Sequence, residues 1–184
     1  MDSKKSYFPW PAPVLAFIIL IIMLFAASFS PQAQAEKSVK HFYNAYFTEN
    51  HDDMVKYVST LWVYNHLQIN ESYQSALTQR TQYEEKIQLL LTFANDLALA
   101  NNQTHIKVNP QYTVVGDFSA LVVFEASSPI SSNLYMAVLI FEDQQYRMLQ
   151  AIPLDEELLQ ILNQDVLTQF ETTLQELFKI TTMS

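Results

Sequence analysis

The sequence predicts an α+β fold, with N-terminal helices packed on a curved antiparallel β-meander and a long C-terminal amphipathic helix. Three observations carry this. From His105 to Ile152, segments rich in Val, Leu, Ile, Phe and Tyr follow one another with short breaks, the order of a meander. Ahead of them, apolar residues recur at helical spacing. Behind them, Leu159, Leu162, Val166, Phe170, Leu174 and Leu177 recur every three or four residues, the period of a straight helix rather than a coiled coil.

Taken in order, the chain opens with Lys4 and Lys5, then the apolar run Val14 to Phe25, then Ala33-Gln34-Ala35. Residues 1–35 therefore read as a secretory signal peptide that leaves Glu36 as the new N-terminus, or as an uncleaved N-terminal anchor. The apolar run is shorter than the roughly 20 residues of a spanning helix. Both readings export the domain, to a bacterial periplasm or to the outer face of the inner membrane. A domain over 36–152 and a C-terminal helix over 153–184 complete the division. With the leader set aside about 150 residues remain, a usual size for one domain with its own core.

Ser38 to Phe47 carries Val39, Phe42, Tyr43, Tyr46 and Phe47 on one helical stripe. Asn50-His51-Asp52-Asp53 supplies a cap and first-turn acids for a second helix, whose face continues through Met54, Val55, Val58, Leu61 and Trp62. Residues 65–80 lack a clear period. Thr81 and Glu84 have capping-box spacing ahead of Tyr83, Ile87, Leu90, Leu91, Ala94, Leu97 and Ala98, a third helix ending near Asn101-Asn102. In the meander, Gln111–Val115 and Phe118–Ala126 are joined by Gly116-Asp117, which predicts a type II′ turn. Leu134–Phe141 follows a Ser/Pro-rich link, and Glu142 to Gln144 turn it into Tyr146–Ile152. Phe118, Ala120, Val122 and Phe124 alternate with Ser119, Leu121 and Val123, and Leu134–Phe141 is apolar on both faces, so both sides of the sheet need cover. Pro153 and the acids Asp155, Glu156 and Glu157 start the last helix, expected to run to about Ile180 and to pack on the uncovered sheet face or on a partner.

Composition excludes several chemistries. The formal charge is −9 and the leader is itself cationic, so the domain repels nucleic-acid phosphates and anionic headgroups. There is no cysteine, hence no disulfide, thiolate nucleophile or Cys-ligated metal. One glycine cannot build a phosphate-cradling loop, and no cofactor is implied. His51-Asp52-Asp53 reads as helix capping rather than a metal cluster, because adjacent helical residues diverge. His41, His66 and His105 are scattered without HExxH or HxH spacing, and no GxSxG elbow occurs. Candidate pocket-lining residues are Tyr43, Phe47, Trp62, Tyr64 and His66 from the helices and Glu125 from the sheet.

Val39 to Phe47, the acidic break Asn50-His51-Asp52-Asp53, a further helix and the late strand pair Tyr135–Phe141 and Tyr146–Ile152 resemble the NTF2-like (cystatin-like) superfamily over about residues 37–152. The Gly usual in its last turn is absent here. The resemblance implies a cone with a pocket between helices and curved sheet. It also spans isomerases, hydratases, dimerisation modules and non-catalytic exported domains, and carries no active-site motif onto this chain. The expectation is an exported, non-catalytic domain that binds an apolar small molecule or an envelope protein. The alternatives are a ketosteroid-isomerase-like or hydratase-like enzyme and a periplasmic phospholipid carrier. A homodimer through the sheet face or the C-terminal helix is a further expectation, with membrane contact only through an uncleaved N-terminal segment.

Overall fold

A computed structural model describes residues 30–67, 71–94 and 104–178, with residues 16, 17, 19 and 21 of the leader. The remainder of the leader, the expected helix end at Leu97 to Asn102 and the tail beyond Phe178 lie outside the described residues.

Helix α1 spans Pro31–Phe47 and begins seven residues before Ser38, where the helix was expected to start. Ser30 caps it by accepting from the Ala33 amide, Pro31 sits in the first turn, and Ala35 is fully buried in the core. Its end is a Schellman closure: Asn50 N–H bonds Ala45 O, Glu49 N–H bonds Tyr46 O, and Glu49 takes φ 53 where glycine is usual. Asn50 then caps α2 (His51–Tyr57) through the Asp53 amide, and Lys56 pairs with Asp53 at 2.6 Å.

The expected second helix does not continue to Trp62. Val58 is extended (ψ 132) and bridges Met148 in parallel, so the helix stops and α3 (Thr60–Leu67) restarts two residues later. The unassigned stretch holds α4 (Tyr73–Thr78), capped by Ser72. Helix α5 is Arg80–Ala94, and it begins before Thr81, so the expected capping box does not form. Its first turn is closed by Gln82 N–H on Gln79 O, straight out of α4.

The sheet is antiparallel, in the order β1 (His105–Val108), β3 (Ser119–Ser128), β4 (Ser131–Glu142), β5 (Gln145–Pro153), with β2 (Val114–Val115) also on β3. Residues 111 and 112 belong to a 3₁₀ turn opened by Pro110, which shortens the strand expected to start there. The Ser/Pro-rich link is absorbed into β3 and β4, leaving Pro129-Ile130 as the turn.

Two turns depart from expectation for physical reasons. Gly116 does not have positive φ, so the β2–β3 turn is not type II′. The β4–β5 turn instead carries the left-handed backbone, with Asp143 at φ 49 and Gln144 at φ 65 between the paired Glu142 and Gln145, a type I′ turn without glycine. Gln144→Gly is expected to raise stability by about 0.5 to 1 kcal/mol, read as a higher urea midpoint with an unchanged m-value. A lower midpoint would refute the turn assignment.

Each sheet face has its own core. Ala120, Val122, Phe124, Ala137, Leu139 and Met148 pack under α1 against Ala35, Val39 and Tyr43. Leu121 and Val138 pack on the opposite side against Leu167 and Phe170 of the tail, and Phe118, expected to share a face with Ala120, joins Leu61, Tyr73, Ile140 and Leu174 there. The tail is two helices, α6 (Glu156–Ile161) and α7 (Gln164–Phe178), because Asn163 caps a new start through the Val166 amide. Its seam is rotated from the expected stripe: Leu167, Glu171 and Leu174 are buried, while Leu177 is 68% exposed.

Candidate functional site

Between the helices and β5 lies an apolar cleft of about 190 Å³. The aromatic stripe of α1 supplies Phe42, Tyr43 and Tyr46, α2 supplies Met54, and Val58, Trp62 of α3 and Leu91 of α5 close the helical wall. Met148, Leu149, Gln150 and Ala151 of β5 form the floor. That floor is shaped by a register shift in which Leu139 pairs with Met148 but Val138 with Gln150, leaving Leu149 as the extra residue. A bulge of this kind bends the strand and re-aims its side chains. The same bend lets Val58 reach Met148, and Ser59 N–H bonds Met148 O at 2.8 Å.

The cleft is apolar in character. Burial, reinforced by the neighbouring Tyr135 and Tyr46, raises the Tyr43 hydroxyl above the usual phenol range, and burial also raises Tyr46. Both hydroxyls are therefore neutral at pH 7 and able to donate or accept a hydrogen bond. Rings gather around them: Tyr43 lies 4.8 Å from Phe124 and 5.9 Å from Phe47, centroid to centroid.

Of the residues singled out from sequence, Tyr43 and Trp62 line this cleft. Phe47 lines a separate, more polar depression with Asn44, Thr48, Glu49, Thr104 and His105. Tyr64 packs against Tyr73 and Phe178, towards α7. His66 is exposed, stacked on Trp62 at 4.1 Å with Nδ1 against Trp62 O of its own helix. Glu125 is half-buried on β3 and accepts from Ser132 Oγ of β4. No set of three His, Cys, Asp or Glu side chains placed to hold a metal occurs among the described residues.

Sequence reasoning missed two buried carboxylates. Glu142, fully buried at the end of β4, accepts from Ser59 Oγ (2.6 Å), Tyr73 Oη (2.8 Å) and the amides of Thr60 (2.8 Å) and Leu61 (3.3 Å). It thereby caps α3 from across the fold, where the positive end of the helix dipole favours its charge. Arg80 and Arg147 stand 3.9 and 3.6 Å from its Oε2. Burial first, and Glu142 second, push the Tyr73 hydroxyl up, so it stays a neutral donor to that carboxylate. Glu171 of α7 accepts from the amides of Asp117, Phe118 and Ser119 and from Ser119 Oγ, at 2.8 to 3.2 Å. Each carboxylate takes four hydrogen bonds from the protein and so ties together segments far apart in sequence. No family model, curated protein or solved structure matches the chain.

Proposed function

We propose that the protein is an exported, non-catalytic binding domain whose cleft takes a small apolar molecule, a single aromatic ring or a short alkyl chain. The carrying observation is the lining: eight apolar side chains stand with the two neutral tyrosines, Tyr43 and Tyr46, and Gln150. A dry cavity of about 150 Å³ holds a benzene-sized molecule, and the 190 Å³ here is of that order. A two-chain phospholipid needs far more room, since drug-sized ligands already fill roughly 300 to 1,000 Å³. The isomerase-like or hydratase-like alternative calls for a carboxylate or histidine facing the ligand, and the cleft offers only the tyrosines. Helices leading into a meander, with the cleft between them, support the NTF2-like reading.

Iodobenzene, an apolar heavy-atom quencher, tests this on the full chain carrying Trp10→Phe, so that Trp62 is the remaining tryptophan. Quenching is expected to saturate, and Ala151→Phe, which fills the floor, to weaken it at least about tenfold, a loss of roughly 1.4 kcal/mol. Unsaturable quenching, or saturation indifferent to Ala151→Phe, refutes the proposal.

The leader bears on address. Cleavage after Ala35 would remove the Ser30 cap, a fully buried alanine and the bond from Gln32 Nε2 to Pro110 O. These contacts support the anchored form, with the domain held at the outer face of the inner membrane. Intact mass of the protein recovered from membranes is expected to include residues 1–35; a chain starting at Glu36 would overturn this.

A further inference from the structure

The chain has two arginines, Arg80 and Arg147, and the fold buries both around the single carboxylate of Glu142. That carboxylate is already spent. Oε1 takes Ser59 Oγ, Leu61 N–H and Tyr73 Oη, and Oε2 takes Thr60 N–H, so both guanidinium groups stand beyond hydrogen-bond distance. Arg80 is satisfied elsewhere, donating to Thr60 Oγ1 at 2.8 Å and Val55 O at 2.6 Å. Arg147 is not: its Nε and Nη1 are buried and make no hydrogen bond. Its second ion-pair partner is Asp143 Oδ2 at 3.3 Å, on a side chain that is 53% exposed. Two cations therefore share one buried anion, and their mutual repulsion, after burial, helps bring the Arg80 pKa down to about 10.

Beside this pair opens a polar pocket of about 430 Å³, lined by Arg80, Arg147, Lys56, Thr78, Glu84 and Asp143 among others. Lys56 lies on a different face of α2 from Met54, which lines the apolar cleft, so the two sites are separated by that helix. We propose that this pocket binds a small monoanionic carboxylate, which takes the place of Asp143 beside the Arg147 guanidinium. Guanidinium and carboxylate match as a planar fork, and a bound carboxylate supplies the acceptor that saturated Glu142 withholds. Glu84 and Asp143 in the wall set the limit on ligand charge, because a dianion meets two carboxylates on entry. This site is independent of the apolar-ligand reading and stands or falls separately.

The experiment follows the two arginine Nε–H resonances of the ¹⁵N-labelled full chain while acetate replaces chloride at constant ionic strength. The Arg147 signal is expected to move saturably, with a midpoint in the millimolar range, roughly −4 kcal/mol of binding at most. Asp143→Asn removes the competing carboxylate from an exposed turn position that asparagine also suits, and is expected to tighten the midpoint several-fold. Phosphate at pH 8, largely dianionic, is expected to bind more weakly than acetate. A linear drift shared by both arginines, a midpoint unmoved by Asp143→Asn, or preference for the dianion would each overturn the assignment.

Discussion

Glu142→Ala is expected to lower folding stability by about 3 to 5 kcal/mol, the usual loss when one partner of a buried ion pair is removed. The change strands Arg80 and Arg147 without their shared anion and leaves the first amides of α3, the Ser59 hydroxyl and the Tyr73 hydroxyl without an acceptor. Loss of this size is a large fraction of a domain's typical 5 to 15 kcal/mol. Glu142→Gln keeps volume and one acceptor oxygen but not the charge, so its cost should fall between wild type and alanine. Urea denaturation followed by circular dichroism measures all three, and an alanine variant within about 1 kcal/mol of wild type would show that the ion cluster is energetically idle.

The second large effect concerns the lone glycine. A Cβ built on Gly116 overlaps the Glu171 carboxylate, lying 2.6 Å from Cδ, although the Gly116 backbone is one that other residues adopt. Gly116→Ala should therefore cost about 2 to 4 kcal/mol, not through strain but by expelling a carboxylate that holds buried amides of Phe118 and Ser119. Glu171→Ala should cost a similar amount. In the double variant the Gly116 substitution should be free or slightly stabilising, since its only victim is gone and the unfolded chain is stiffer. Additive losses would locate the glycine requirement in the backbone instead.

Much of the architecture was legible because it rests on local periodicity. The α1 aromatic stripe, the two-sided β3 and β4 and the apolar tail follow from side-chain spacing, and that is what placed helices on one sheet face and the tail on the other. Details set by distant partners were not legible. The break at Val58 exists because β5 reaches back to it, and no residue near 58 announces that. Glu142 read only as part of a turn and Glu171 was not singled out, since their donors lie 52 to 83 positions away in sequence. Two signals were nevertheless present: Arg147 falls within the strand segment Tyr146–Ile152, and Glu171 sits on the apolar side of its helix, four residues from Leu167 and three from Leu174. Of the cleft's lining, Tyr43 and Trp62 stood on helical stripes visible in the sequence, whereas Met148 to Ala151 depended on a bulge that sequence does not encode locally.

The Val58–Ser59 contact also guards the sheet against other chains. An open sheet presents unpaired amides and carbonyls along its outer strands, a template on which a second molecule can add. At one border β1 and β2 are short and interrupted by the Pro110 turn, against which Gln32 is bonded. At the other border, residue 58 and the Ser59 amide occupy Met148 in the middle of β5. Ser59 is itself held by Glu142, so the buried carboxylate indirectly keeps that rim closed. Without that contact, the rim along Tyr146 to Ile152 presents the unpaired backbone groups on which a second chain can add.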